Sequence, residues 1–225
     1  MSFRDLLFAG GGAPMLSLPT TNYFAGWEAR SATLVSGDVD TIPDATGNGR
    51  DMAYDTTRPT VSSVGGHTAM RLGPGHMTGV ASTSSASDVD KTYYFVGSLD
   101  AGTYTYRAII GMTGLHWVGL DSSSNRYVGY NVAAALLKTP PLGSLFQFSM
   151  EFNRTTGNVT VRDPAGTEVK AGSVGVTFQK SGVLRLGSTN GAYYPAEGDY
   201  IAGYVYHGLY DADVPAYISQ EWAGA

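Results

Sequence analysis

Apolar and polar positions alternate in short runs along most of the chain from Trp27 onward. The clearest run is Leu145–Asn153, where Leu145, Phe146, Phe148, Met150 and Phe152 are set against Gln147, Ser149 and Glu151. A period of two sends successive side chains to opposite faces, so this run predicts a strand with one buried face. Thr155-Thr-Gly-Asn158 then turns the chain into Val159–Arg162, the pattern of a hairpin. Lys91–Ser98 is a second strand, whose Tyr93, Tyr94, Phe95 and Val96 are too apolar for an exposed edge. Shorter runs at Val39–Ile42, Thr68–Leu72, Tyr104–Ile110, His116–Leu120, Arg126–Tyr130, Val183–Leu186 and Tyr200–Tyr206 are separated by Gly, Pro, Asp and Asn turn signals. Only the end reads as helix: Asp211 or Asp213 caps it, Pro215 suits its first turn, and Tyr217, Ile218 and Trp222 share a face. Roughly ten short strands with turn punctuation predict an all-β fold, a two-sheet antiparallel sandwich (jelly roll) with a short C-terminal helix.

Ahead of this domain, Gly10-Gly-Gly-Ala-Pro14 breaks the pattern, which divides the chain into an arm at 1–15 and a sandwich at 16–225. The arm carries Phe3, Leu6, Leu7 and Phe8. Four large apolar side chains are costly to leave in water, so they are expected to be buried. Two readings remain open: a strand or frayed end packed on its own domain, or an anchor that docks on a neighbouring subunit.

Composition narrows the function classes. Charged residues are 15% of the chain, against about 25% in an ordinary domain, while Gly (30) and Tyr (15) are abundant. Such a surface suits contact with proteins or glycans. The formal net charge of −5, with no basic run, argues against a nucleic-acid partner. With no cysteine there is neither a disulfide framework nor a thiolate metal site. No stretch reaches the roughly 18 apolar residues of a membrane span. The N-terminal apolar stretch Leu6–Ala9 is shorter than a signal-peptide core, so export by the general secretory route is not expected.

Four segments resemble the concanavalin A-like lectin/glucanase (LamG-like) domains found in bacteriophage structural proteins and bacterial surface proteins. They are Gly26-Trp-Glu-Ala-Arg-Ser-Ala-Thr-Leu34, the loop within Val39–Asp51, Arg58-Pro-Thr60 with Met70-Arg-Leu72, and Gly198-Asp-Tyr-Ile-Ala-Gly-Tyr-Val-Tyr206 with the helix after it. The chain departs from the family pattern at Ile42-Pro-Asp44 and at Glu28. The resemblance implies a jelly roll, often carbohydrate-binding, and in phages often a virion component.

Catalytic signatures are sparse. Glucanases of that superfamily carry Glu-x-Asp-x-x-Glu on one strand, whereas Glu28, Glu151, Glu168, Glu197 and Glu221 all lie on separate segments. His67, His76, His116 and His207 lack metal-ligand spacing. No cofactor is expected; Asp44, Asn48 and Asp51 form a candidate calcium loop, weighed against a self-bonded turn with the same spacing. Sugars stack on aromatic rings and bond to nearby amides, which makes Trp117, Tyr127, Tyr130, Tyr193, Tyr194 and Asn190 the glycan candidates. The same aromatics are also expected in a core or a subunit interface.

The expectation is therefore a non-enzymatic virion decoration protein of a phage or phage-like particle, assembled in the bacterial cytoplasm. It would be a homo-oligomer, held to other virion proteins by the arm and touching surface glycans, without nucleic acid or membrane insertion. The alternatives are a free carbohydrate-binding lectin-like module and a glycoside hydrolase.

Overall fold

A computed structural model describes residues 16–73, 75–82, 89–100, 106–112, 116–121, 126–129, 142–163, 165–173, 182–188 and 196–222. The arm residues Phe3, Leu6, Leu7 and Phe8 lie outside them.

Sixteen strands are present among the described residues. In chain order they are β1 Tyr23–Glu28, β2 Thr33–Val35, β3 Asp38–Ile42, β4 Met52–Tyr54, β5 Thr60–Val64, β6 His67–Leu72, β7 Met77–Ser82 and β8 Lys91–Leu99. They continue as β9 Tyr106–Met112, β10 His116–Asp121, β11 Arg126–Gly129, β12 Phe146–Phe152, β13 Asn158–Arg162, β14 Glu168–Ser173, β15 Gly182–Leu186 and β16 Gly198–His207. Among the described residues there is one α-helix, α1 at Asp213–Glu221, besides a 3₁₀ turn at Ala29–Ser31, and no described helix is long and apolar enough to cross a membrane.

The strands run as one antiparallel, hydrogen-bonded sheet in the order β11-β10-β9-β15-β7-β4-β3-β5-β6-β16-β8-β12-β13-β14, with β1 on β16 and β2 on β3. The two-sheet jelly roll expected from the sequence is corrected by this order. Its two halves are joined through the single register pair Asp38↔Thr60 between β3 and β5. Alternation reports which face of a strand is buried; it carries no information on whether two layers are joined by hydrogen bonds.

The sheet curls so that residues from both halves meet in one core. Val39, Ile42, Met52, Met77, Ile109 and Leu186 of the first half pack with Met70, Leu72, Tyr93, Phe95, Phe146, Phe148, Met150, Phe152, Val159 and Val161 of the second. β8 lies between β16 and β12 and is buried on both faces. Tyr93, Phe95 and Leu99 face that core, while Tyr94 and Val96 face a second cluster under α1. This double burial is why Tyr93, Tyr94, Phe95 and Val96 form an apolar run without alternation. In β16 the register shifts between Tyr200 and Ala202, which resets the alternation. Tyr200 and Val205 then reach the main core, while Ile201, Ala202, Tyr204 and Tyr206 face the helix.

Helix α1 docks through Val214, Ile218 and Trp222. Trp222 Nε1 donates to Tyr204 Oη at 3.3 Å, and the Arg30 guanidinium lies 4.4 Å from the Trp222 ring centre. Arg30 also pairs with both Glu28 and Glu221, which ties the end of β1 to the end of the helix.

The loop from Pro43 to Asp51 is built on one side chain. Asp44 is almost fully buried, and its carboxylate accepts from Gly26 N (3.2 Å), Thr46 N (3.0 Å), Thr46 Oγ1 (2.6 Å) and Arg50 N (3.3 Å). Asp51 Oδ1 accepts from Asp44 N at 2.8 Å. Gly47 and Gly49 adopt φ of +72° and +70°, a region that favours residues without a Cβ. The loop thereby delivers the Arg50 carbonyl to the buried Trp27 Nε1 at 2.8 Å.

Candidate functional site

Three clusters of charged side chains stand beside the separate pairs Arg58–Asp40 and Arg162–Glu151 among the described residues, and their surroundings separate scaffold from site. The first is Glu28, Arg30, Glu221, Tyr204 and Trp222. Tyr204 donates to Glu28 Oε1 at 2.8 Å. Burial, and then the charge of Glu28, hold the Tyr204 phenol well above the ordinary tyrosine range. It therefore stays a protonated donor that fastens the helix, and the phenolate needed for nucleophilic attack is disfavoured.

In the second cluster Arg71 pairs with both Asp100 and Asp199, and Ser98 Oγ donates to Asp199 Oδ2 at 3.2 Å. Register pairs Arg71 with Asp199, and Asp199 with Ser98, across β6, β16 and β8. One guanidinium between two carboxylates stitches these strands together.

The third cluster differs in its setting. Asp55 follows β4 and continues its ladder, its N–H donating to the His76 carbonyl at 3.2 Å. Asp55 Oδ2 accepts from Arg185 Nη1 at 2.6 Å and lies 3.0 Å from His76 Nε2. The Arg185 hydrogen bond is the main cause that pulls the Asp55 carboxyl below its ordinary value; burial opposes it and His76 adds to it. Asp55 is thus a fixed, ionised acceptor. His76 is nearly sealed, with 3% of its side chain exposed, while 27% of Asp55 is open.

Strand register places this cluster on the outer face of the first half of the sheet. Leu186 and Met77 are paired and lie in the core, so their neighbours Arg185 and Thr78, also paired, face outward. The row continues from Thr78 to Ala53 and Thr41 in one direction, and from Arg185 to Gly111 and the register position of Trp117 in the other. These six positions cross six strands, a span of about 24 Å at the usual strand spacing. Thr41, Ala53, Thr78 and Gly111 are all small, so the positions on either side of Arg185 in this row carry little side-chain bulk. A charged acceptor beside such a row can bond the hydroxyls of an extended polar ligand.

The residues expected from sequence fall unevenly on this frame. Trp117 and Tyr127 belong to β10 and β11, and Trp117 occupies a position in the row just described. Tyr127 pairs with Leu120, three positions along β10 from Trp117. Tyr130, Tyr193, Tyr194 and Asn190 lie outside the described residues. Of the calcium-loop residues, Asp44 and Asp51 turn to the backbone amides given above, and Asn48 N donates to Thr46 Oγ1 at 3.2 Å. Asp55, His76 and Arg185 are not among the site residues expected from sequence. Their one local signal is Arg185 itself, a lone charge in the apolar run Val183-Leu-Arg-Leu186.

No family model and no curated protein matches the chain. In fold it is similar to Trypanosoma rangeli sialidase, with a TM-score of 0.64 and 12% identity, covering 93% of this chain and 34% of that one. It is also similar to domain 4 of AbnA, an extracellular arabinanase of Geobacillus stearothermophilus, solved in complex with arabinotriose. There the TM-score is 0.62 and the identity 14%, covering 86% of this chain and 96% of that one. A GH54 α-L-arabinofuranosidase gives a TM-score of 0.58 and 15% identity, covering 82% of this chain and 50% of that one. The chain spans about a third of the length of the sialidases.

These likenesses correct several expectations. The proteins that share the fold are named as glycosidases, so the assignment to phage-type lectin jelly rolls is overturned. With it go the virion decoration role, the absence of enzymatic chemistry and the virion location; the arabinanase is described as extracellular. The four segments that carry the resemblance are the end of β1 with β2, the loop after β3, the start of β5 with the end of β6, and β16 with α1. Their chemistry serves local backbone satisfaction, as the bonds of Asp44 show, and local chemistry of that kind does not report a biological role.

Proposed function

We propose that this chain is a carbohydrate-engaging domain of a glycosidase, holding a glycan along the outer row beside Asp55 and Arg185. The observation that supports it is the likeness to nearly the whole of an arabinanase domain solved with arabinotriose. Chain length agrees with a domain, since the sialidases are about three times as long. The paired Asp55 and Arg185 supply an acceptor and donors on an outer face where register places Thr78, Ala53 and Gly111 as neighbours.

Binding to a panel of soluble polysaccharides, including arabinan and sialylated glycans, tests this by calorimetry. At least one glycan is expected to bind, and Asp55→Asn to weaken it by roughly tenfold to a hundredfold, the worth of one charged hydrogen bond. Equal affinity in the variant would remove Asp55 from the site, and no binding to any glycan would remove the reading itself.

A second reading, hydrolysis by the chain's own groups, is favoured by the Asp55–His76 contact. An ionised carboxylate beside an imidazole is an acid–base pair. Reducing-end release from the same panel, lost in Asp55→Asn, would establish it; release unchanged in the variant would exclude this pair.

A further inference from the structure

The far end of β16 holds a histidine whose surroundings are poised against its cation. The His207 ring lies 4.2 Å from the Phe24 ring, and the Arg50 guanidinium lies 4.1 Å from the same Phe24 ring. Arg50 Nη1 also donates to the Phe24 carbonyl at 2.8 Å, which fixes the guanidinium there. On the neighbouring strand, Lys91 is in register with His207 and is largely buried. Nε2 of His207 is buried and has no hydrogen-bond partner. The carboxylate next to Lys91 in sequence, Asp90, accepts from Arg154 N at 2.6 Å. Among the described residues no carboxylate bonds the imidazole, and the charges that act on it are those of Lys91 and Arg50.

The same histidine holds the start of the domain. His207 N donates to Asn22 O at 2.9 Å, and the adjacent Tyr206 hydroxyl donates to Pro19 O at 2.7 Å. Tyr23 stacks on Tyr206 at 5.0 Å. The segment from Pro19 to Phe24 is therefore clasped by the last two residues of β16.

We propose that His207 is an acid-sensitive latch: its protonation releases the segment 19–24 from the end of β16 while the core strands stay folded. A third positive charge beside Lys91 and Arg50, on a nitrogen with no acceptor, is relieved when the ring reaches water. Burial, then Lys91, then Arg50 lower the His207 value to about 4. A released ring titrates near the ordinary 6.5. The folded value lies below the released one, so the latch is fully effective above about pH 6.5. It weakens as pH falls from there toward 4, because the released form binds the proton first.

Amide exchange followed by NMR from pH 7 to pH 4, corrected for intrinsic rates, tests this on the whole chain. Opening at the His207 amide, which bonds Asn22 O across the latch, is expected to rise by roughly tenfold to a hundredfold. The Phe148 and Met150 amides should keep their protection. His207→Gln should abolish the rise. If that variant does not fold at pH 7, Lys91→Met, which removes one repelling charge, should blunt it. An imidazole titrating near 6.5 in the folded protein would overturn the proposal. So would an undiminished rise in either variant.

Discussion

Trp27→Ala is expected to lower the unfolding free energy by about 3–5 kcal/mol, the range for emptying a large aromatic site in a core. Trp27 is fully buried in the main cluster and sits where three parts of the chain meet. Its Nε1 donates to the Arg50 carbonyl at 2.8 Å, its own carbonyl accepts from the Tyr200 hydroxyl at 2.8 Å, and register pairs it with Gly203 of β16. Alanine removes the ring and leaves the Arg50 carbonyl without its donor. Trp27→Phe separates the two effects: most of the volume is kept, and the loss should be about 1–3 kcal/mol, that of one buried group left unbonded. Urea unfolding followed by far-ultraviolet circular dichroism measures both. Equal losses in the two variants would show that the indole hydrogen bond, and not ring volume, carries the site.

Asp44→Ala is expected to cost about 2–4 kcal/mol, because several amides lose their acceptor at once. The carboxylate organises Gly26, Thr46 and Arg50 around one buried point. With it gone, the loop that presents the Arg50 carbonyl to Trp27 loses its shape, so the two substitutions should be coupled and not additive. A double-mutant cycle reads the coupling directly. Asp44→Asn keeps an acceptor on one arm only and should lie between the parent and Asp44→Ala. An additive cycle would mean that the loop holds its form without Asp44.

Part of this architecture is legible in the order of residues along the chain. The alternation in Leu145–Asn153 becomes β12, and the turn at Thr155–Asn158 becomes its hairpin with β13, with Gly157 at φ +70°. These are local effects, where period and turn chemistry act within a few residues. Asp44 is readable as a loop former for the same reason. Strands β2 and β4 leave no trace in the pattern because each has three residues, too few for a period to show. β1, with Phe24 and Trp27, shows there only as a motif. The candidate site is hidden more deeply. Asp55 and Arg185 are 130 positions apart and meet because β7 lies between β4 and β15.

The amino-acid pattern alone determined that this chain would form short antiparallel strands, end in a helix that buries Ile218 and Trp222, and tie its Pro43–Asp51 loop to Asp44. Each follows from steric preference or hydrogen-bond satisfaction within a local stretch. Only the tertiary structure decided that the two halves join at Asp38 and Thr60, and that β16 is inserted between β6 and β8. The same long-range register sets Asp55, His76 and Arg185 beside a row of small side chains, and leaves His207 among cations. Pairing between distant strands is selected by the closure of one shared core, a free energy that belongs to the whole chain and is written in no single segment of it.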